Sequence, residues 1–324
     1  MGSVCGELYF EASIGRKLHG LLCTISGKRI GDMYQVDREF LKEETRSDFL
    51  VTTKRKKVWA VELNLLEMMD SICKRHGLRY FVDYGTLLGA VRHKGFVPWD
   101  DDIDVTMFRD DYEKFKQIAV EEIKEPYFFQ NIYTDNSVWA FSKIRDSRTS
   151  AIEFPDIPAE KLNQGIFIDI FPLDDAPDDI YMRSIIRDMQ RELWTTIIHP
   201  EVVLKLIQSG QQMVCNIDLL VDMIKLPIRE RMKEFETFNE WQFGQSTKVN
   251  FISFEICGSS PSRERKWYKD IVYLPFENIE VPAPVGYDEI LRCQYGDYRK
   301  FIRGGSAHEG IYLDPDMPYY LYKG

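Results

Sequence analysis

The sequence predicts an α+β fold, with a mixed β-sheet flanked by helices and a helical subdomain after it. Two patterns carry that expectation. Between about residues 56 and 171, runs with helical periodicity alternate with short strand-like runs, in the order helix, strand, helix, strand, helix and three more strands. From about Asp179 to Gly244 the apolar positions, among them Trp194, Leu204, Leu219 and Met223, keep a largely helical pattern. No repeat or low-complexity segment interrupts the chain. The expected divisions are an N-terminal extension with short strands at 1–40, the core at 41–178, the helical subdomain at 179–250, and a C-terminal segment at 251–324 packing on the core.

Residues 1 to 35 hold short mixed runs around Gly20 and Gly27, expected to form a hairpin or two. From Lys56 to Arg75, Val58, Val61, Leu65, Met68, Met69 and Ile72 recur at helical spacing, and Gly77 stands where a C-cap is expected. This helix should cover the first strand, Arg79 to Tyr84 (RYFVDY). The basic run Lys54 to Lys57 at its start reads as a solvated helix end rather than a binding patch. Gly85 and Thr86 then open a short apolar helix through Leu87, Leu88, Ala90 and Val91. After the next strand, Asp110 or Asp111 is placed to cap a helix carrying Tyr112, Phe115, Ile118, Ala119 and Ile123, which Pro126 ends. Strands are expected at Tyr127 to Tyr133, Val138 to Arg145 and Gly165 to Phe171.

The chemistry concentrates in Tyr84 to Val105, YGTLLGAVRHKGFVPWDDDIDV. Asp102, Ile103, Asp104 and Val105 alternate as a strand does, so Asp102 and Asp104 share one face with Cα atoms roughly 6.6 Å apart. Two carboxylates held this close repel unless protonated or neutralised, and a cation that favours oxygen ligands, magnesium first, is the usual remedy. Asp100 and Asp101 follow Pro98 and Trp99 without alternation and read as a solvated acidic turn. Upstream, a strand turning through Gly85 into a helix leaves free amides beside the positive end of the helix dipole, a corner suited to phosphate.

A third carboxylate, Asp169, lies within GIFIDIFPL, a strand that reads as buried on both faces. It is expected to bind the metal, or else to sit in a buried salt bridge with an arginine or lysine. Asp174 and Asp175, after Pro172, read as loop residues. Lys143 and Arg145 alternate on FSKIRD and are candidates to hold phosphates, with a solvated face or a salt bridge to Asp146 as the alternative. Arg92 and His93, at the end of the Gly85 helix, are candidate phosphate contacts as well, His93 alternatively a cap. Tyr84, Trp99 and Trp139 read as core aromatics before they read as a cage for an ammonium group.

Composition fits a soluble protein. The 324 residues include 44% hydrophobic and 29% charged side chains, enough for one large core or two smaller ones. No apolar run approaches the roughly 18 residues a membrane helix needs, and no signal-peptide pattern opens the chain, so a cytoplasmic protein without a transmembrane segment is expected. The net charge of -10 argues against nucleic acid as a partner. The six cysteines and five histidines form no zinc motif, so free thiols are expected.

On GTLLGAVRHKGFVPWDDDIDV (85–105), FSKIRDSRTSAI (141–152), GIFIDIFPLDD (165–175) and YDEILRCQYGDY (287–298), the chain resembles the LicD family of phosphotransferases, related to fukutin and built on the nucleotidyltransferase fold. The resemblance implies a nucleotidyltransferase-like core. It also implies transfer of a phospho-substituent, such as phosphocholine or a polyol phosphate, from a CDP-linked donor to a hydroxyl of a cell-surface glycan or glycolipid precursor, releasing CMP. By position, Gly85 and Thr86 match the phosphate-facing corner, Asp102 and Asp104 the metal pair, and Asp169 the third carboxylate. Magnesium, or manganese in its place, is the implied cofactor, and lipopolysaccharide or teichoic acid the kind of acceptor. The location implied is cytoplasmic, peripheral at the inner membrane face. Two alternatives use the same residues: a nucleotidyltransferase releasing pyrophosphate, and a non-catalytic nucleotide-binding module. One departure stands out, since YGDY is followed by Gly304, Gly305 and Ser306 in place of a proline-rich ending.

Overall fold

The computed structural model describes residues 37–240, 244, 246–251, 262–305, 308 and 310–323. The chain divides into two compact units, Met1–Lys42 and Glu43–Gly324. Of the first, only a turn at residues 37–42 is described, and the hairpins expected at 1–35 lie outside the described residues.

In chain order the second unit contains β1 (Glu44–Arg46), β2 (Phe49–Val51), α1 (Thr53–His76), β3 (Phe81–Val82), α2 (Tyr84–His93), β4 (Asp104–Phe108), α3 (Arg109–Glu122), β5 (Tyr127–Gln130), β6 (Ser142–Asp146), β7 (Ser150–Ile152) and β8 (Ile166–Ala176). Four helices follow: α4 (Ile180–Ile198), α5 (Pro200–Gln208), α6 (Ile217–Lys225) and α7 (Ile228–Glu240). Then come β9 (Lys248–Asn250), β10 (Arg263–Glu264), β11 (Ile271–Phe276), β12 (Ile279–Pro284), α8 (Tyr287–Tyr295) and β13 (Tyr312–Asp314). The α+β expectation with a mixed sheet holds.

The fold is organised around β8, buried along its whole length. On one edge β4 runs parallel to it; on the other, β6 pairs antiparallel with Ile166–Ile170 and β9 with Asp174–Ala176. β3, β5 and β10 extend these neighbours into a seven-stranded sheet. The strand was expected to stop at Phe171, because proline cannot donate to a ladder. It continues because Pro172 falls in the gap between the β6 and β9 pairings, where that edge needs no donor. Asp174 and Asp175 are therefore strand residues, not loop residues. Arg109 grips both oxygens of Asp174 at 2.6 and 2.7 Å, and Arg265 pairs with Asp175.

Helix α1 begins where the Thr52 hydroxyl accepts from the Arg55 amide, and it ends at Gly77, whose φ of 65° is left-handed and favours glycine. Val58, Val61, Leu65, Met69 and Ile72 are buried as their spacing predicts. They lie mainly over β8 and β6, rather than over the first strand. That first strand is shorter than expected, since Asp83 already caps the next helix. In α3 the N-cap position is Phe108, with no side-chain cap; Asp110 and Asp111 occupy the first turn, where the helix dipole favours acids.

The four helices α4 to α7 gather a core of their own around Leu193, Ile197, Leu220, Met223 and Phe235. Among the described residues no helix is long and apolar enough to cross a membrane. Cys73, Cys215 and Cys293 are free thiols, the first two buried; Cys5, Cys23 and Cys257 lie outside the described residues.

Candidate active site

Strand register builds the site. Asp104, the first residue of β4, is the direct partner of Asp169 on β8, and Asp169 is in turn the partner of Lys143 on β6. In-register partners point to one face, so the three side chains stand in a row. They open with Asp102 and Gly85 into one cavity of about 780 Å³. Asp102 itself is not on the strand, as the alternation suggested, but in the extended approach to it, because β4 pairs only from Asp104 onward.

The phosphate-type corner is tied to this row by backbone bonds. The Thr86 hydroxyl accepts from the Asp104 amide at 2.9 Å, and the Asp83 amide donates to the Asp104 carbonyl at 3.0 Å. Thr86, buried, thus braces the carboxylate strand. At the helix start, the Asp83 side chain accepts from the Tyr84 amide at 2.7 Å and pairs with the buried Arg263. Gly85 packs directly against the Asp100 side chain: a Cβ there would meet Asp100 Oδ2 at 2.2 Å, so that carboxylate would have to move aside. That contact corrects the reading of Asp100 and Asp101 as a solvated turn. Trp59 Nε1 and Arg55 hold the Asp100 carbonyl at 3.0 and 2.6 Å, which folds the turn inward and puts the Asp100 carboxylate into the cavity wall.

Four acids therefore crowd one wall. Burial pushes Asp102 and Asp104 well above the ordinary carboxylate range, and Asp100 for the first, and Asp102, Asp169 and Asp100 for the second, push the same way. Burial likewise raises Asp100 to about 6. Asp169 is raised by burial too, while Lys143 and His308 pull it back. The ion pair considered for Asp169 is present, with Lys143 Nζ at 2.9 Å. Lys143 also lies 3.4 Å from Glu153 and 3.5 Å above the Phe167 ring.

Carboxylates crowded under mutual repulsion are donors that a hard divalent cation, magnesium or manganese, accepts. The described residues with ligand atoms all within 4.8 Å of one another are Asp101, Asp102 and His308; Asp104 and Asp169 stand in the same cavity outside that group. His308 Nδ1 lies 3.4 Å from Asp102 and 3.6 Å from Asp101. Burial opposes protonation of His308, but these acids outweigh it and raise its pKa.

Four predicted site residues do not line the cavity: Thr86, which braces the strand, and Arg145, Arg92 and His93. Arg145 is fully buried and turned away from the cavity, donating to Gly165 O at 2.8 Å, to Gln130 and to Glu153. Arg92 donates to the Tyr298 carbonyl at 3.1 Å and covers the Phe301 ring. His93 is wedged edge-on between Trp99 and Phe301, and burial lowers its pKa to about 4. Of the aromatics, Tyr84 and Trp139 line the cavity; Trp99 does not. Sequence reasoning missed Asp100, Glu153 and His308. Only His308 carried a signal, in the glycine-rich departure after YGDY.

A sheet that presents acids and a lysine in one row, beside the first turn of α2, is an arrangement suited to holding phosphate groups. Comparison adds a family match over part of the chain. Residues 77–211 match the model described as "LicD/FKTN/FKRP, nucleotidyltransferase domain". It is similar to the lipopolysaccharide cholinephosphotransferase LicD of Haemophilus influenzae, 27% identical over 246 residues that cover 74% of this chain and 88% of that protein. A shorter similarity, 40% over 46 residues, links it to the ribitol 5-phosphate transferase FKRP of Homo sapiens, covering 14% of this chain and 9% of that protein. An uncharacterized protein of Rickettsia prowazekii is 29% identical over 122 residues, 37% of this chain and 42% of that protein.

Proposed function

We propose that this protein is a phosphotransferase that moves a phospho-substituent, phosphocholine foremost, from a CDP-linked donor to a hydroxyl of a glycan or glycolipid precursor. The observation that carries the reading is the single cavity of about 780 Å³ with Gly85, Asp102, Asp104 and Asp169 in its walls. Its volume falls within the range of small-molecule sites. The similarity to a lipopolysaccharide cholinephosphotransferase over most of both chains supports the choice of reaction.

Asp102, Asp104 and Asp169 are the residues that would hold the divalent ion, which when bound supplies charge neutralisation and Lewis-acid polarisation of the donor phosphate. Lys143 is placed to bind a phosphate oxygen, and the first turn of α2, at Gly85 and Thr86, offers its amides to another. The aromatic wall formed by Tyr84, Trp139, Phe141 and Phe171 suits a quaternary ammonium, which favours phosphocholine over a polyol phosphate. In the transfer, the acceptor oxygen forms the new bond to phosphorus as the bond from phosphorus to the CMP oxygen breaks. Asp169 takes the hydroxyl proton. The reading includes a cytoplasmic location at the inner membrane face, where a nucleotide-linked donor and a glycolipid precursor meet.

The test is to incubate the protein with CDP-choline, CDP-ribitol and CDP-glycerol, with and without magnesium. CMP released only with metal, and fastest from CDP-choline, is expected. Pyrophosphate released from CTP instead would favour nucleotidyl transfer, and no turnover together with no metal binding would leave a binding module.

A further inference from the structure

The reaction cavity does not end at His308. A second cavity of about 320 Å³ shares Gly305, His308 and Ile311 with it and is walled by Phe49, Trp99, Arg55 and Arg303. A smaller hollow of about 140 Å³ continues outward, sharing Arg55, Asp101 and Leu313 and reaching Lys54. Through these shared walls the three hollows adjoin one another, a grooved surface from the carboxylate row to the start of α1.

Charge changes sign along this groove. The Arg55 and Arg303 guanidinium carbons lie 5.6 and 5.2 Å from the Phe49 ring centroid, and Lys54 Nζ lies 5.6 Å from that of Tyr312. Arg55 spends one N–H on the Asp100 carbonyl, a neutral acceptor. Lys56 and Lys57, from the same basic run, pair with Glu44 and Asp316. Lys54, Arg55 and Arg303 make no ion pair among the described residues. Asp101, the acid in these walls, faces His308 at 3.6 Å.

We propose that this groove is the acceptor subsite and that it takes an acidic saccharide, a sugar bearing a phosphate or carboxylate group. Its accepting hydroxyl enters the reaction cavity past His308. Guanidinium groups match both oxyanions through paired N–H donors, and arginines stacked on a ring are partly ordered before binding. Phe49 and Trp99 supply flat apolar surface beside them. A neutral sugar would leave the cations without partners. The word acceptor rests on the phosphotransfer reading; binding of an acidic saccharide does not.

The experiment titrates the full chain, by calorimetry at low salt, with three matched synthetic disaccharides: one bearing a phosphate monoester, one a carboxylate, one neutral. CDP-choline is titrated separately. At least one acidic disaccharide is expected to bind about tenfold or more tighter than the neutral one, and the preference between the two acids identifies the oxyanion. Arg303→Glu and Lys54→Glu, both at exposed positions, are each expected to weaken acidic-disaccharide binding by about tenfold or more while CDP-choline binding is unchanged. Arg303→Gln, a milder change whose fold is checked by circular dichroism, should weaken it in the same direction. Equal binding of the acidic and neutral sugars, no saccharide binding, or charge reversals without effect would overturn the proposal. If acidic sugars bind as expected but CDP-choline neither binds nor turns over, the groove stands and the reaction reading falls.

Discussion

Asp104 and Asp169 stand opposite each other on parallel strands, register partners at the point where β4 begins. Lys143 flanks Asp169 on the far side, so one row of the sheet carries two acids and one base on a shared face. With Asp102 and Asp100 added from the approach to β4, negative charge exceeds what Lys143 and His308 balance. The imbalance is the site's chief physical property.

Removing one of these acids is expected to separate function from stability. Asp104→Asn should lower transfer by about a hundredfold or more, since an ion clamp on a phosphate contributes several kcal/mol. Without added metal the variant should melt higher, by about 1 kcal/mol of stability, because a repelling charge is gone. Magnesium should raise its melting temperature less than that of the wild type. Scanning calorimetry with and without the ion reads both effects, and a lower metal-free melting temperature would contradict the repulsion argument.

Lys143→Met removes the base from the row. Its side chain is 2% exposed and neutralises Asp169 and Glu153, so the change leaves buried acids uncompensated. A loss of about 3 kcal/mol is expected in urea unfolding at neutral pH. A loss below about 0.5 kcal/mol would mean the ion pair is screened.

Glu153 makes stability depend on acid. Burial opposes its ionisation, but Arg145 and then Lys143 outweigh burial and hold the carboxyl down at about 2. A depressed folded-state pKa gives stabilisation that is present above the ordinary glutamate value and lost as pH falls toward 2. Glu153→Gln should therefore cost up to about 3 kcal/mol at pH 7 and converge with the wild type near pH 2. Parallel lines of stability against pH would refute the assignment.

Thr86 offers a test of positioning. Thr86→Val leaves the Asp104 amide without its acceptor and should cost about 1 to 3 kcal/mol. The kcat should fall while the donor KM changes little, because the hydroxyl acts on the strand rather than on the substrate. Thr86→Ser should restore both kcat and stability; if it does not, the methyl group and not the hydrogen bond matters.

Local pattern made much of this legible. The spacing of Val58, Val61, Leu65 and Ile72 with Gly77 determined α1 and its end, since periodicity and a left-handed stop are properties of neighbouring residues. The same holds for Asp104 on its strand, whereas the helix expected to open at Gly85 begins one residue earlier, at Tyr84, capped by Asp83. Where proline had to be judged, at Pro172, local reasoning ended β8 too early, because only the partners on its edge decide whether a missing N–H matters. Arg145 and Lys143 show the same limit: two cations on one strand face, one in the cavity and one held behind it by Gln130 and Glu153.

By itself, then, the sequence determined the helices, the strands that carry chemistry, and the identity of three acids that line one cavity, because those depend on residues close in the chain. Tertiary structure decided which acids joined them. Asp100 is folded inward by Trp59 and Arg55, and His308 reaches the site from more than two hundred residues beyond the first motif. Neither placement is encoded in local spacing; both come from packing between segments distant in sequence, which alone sets the distances over which charges act.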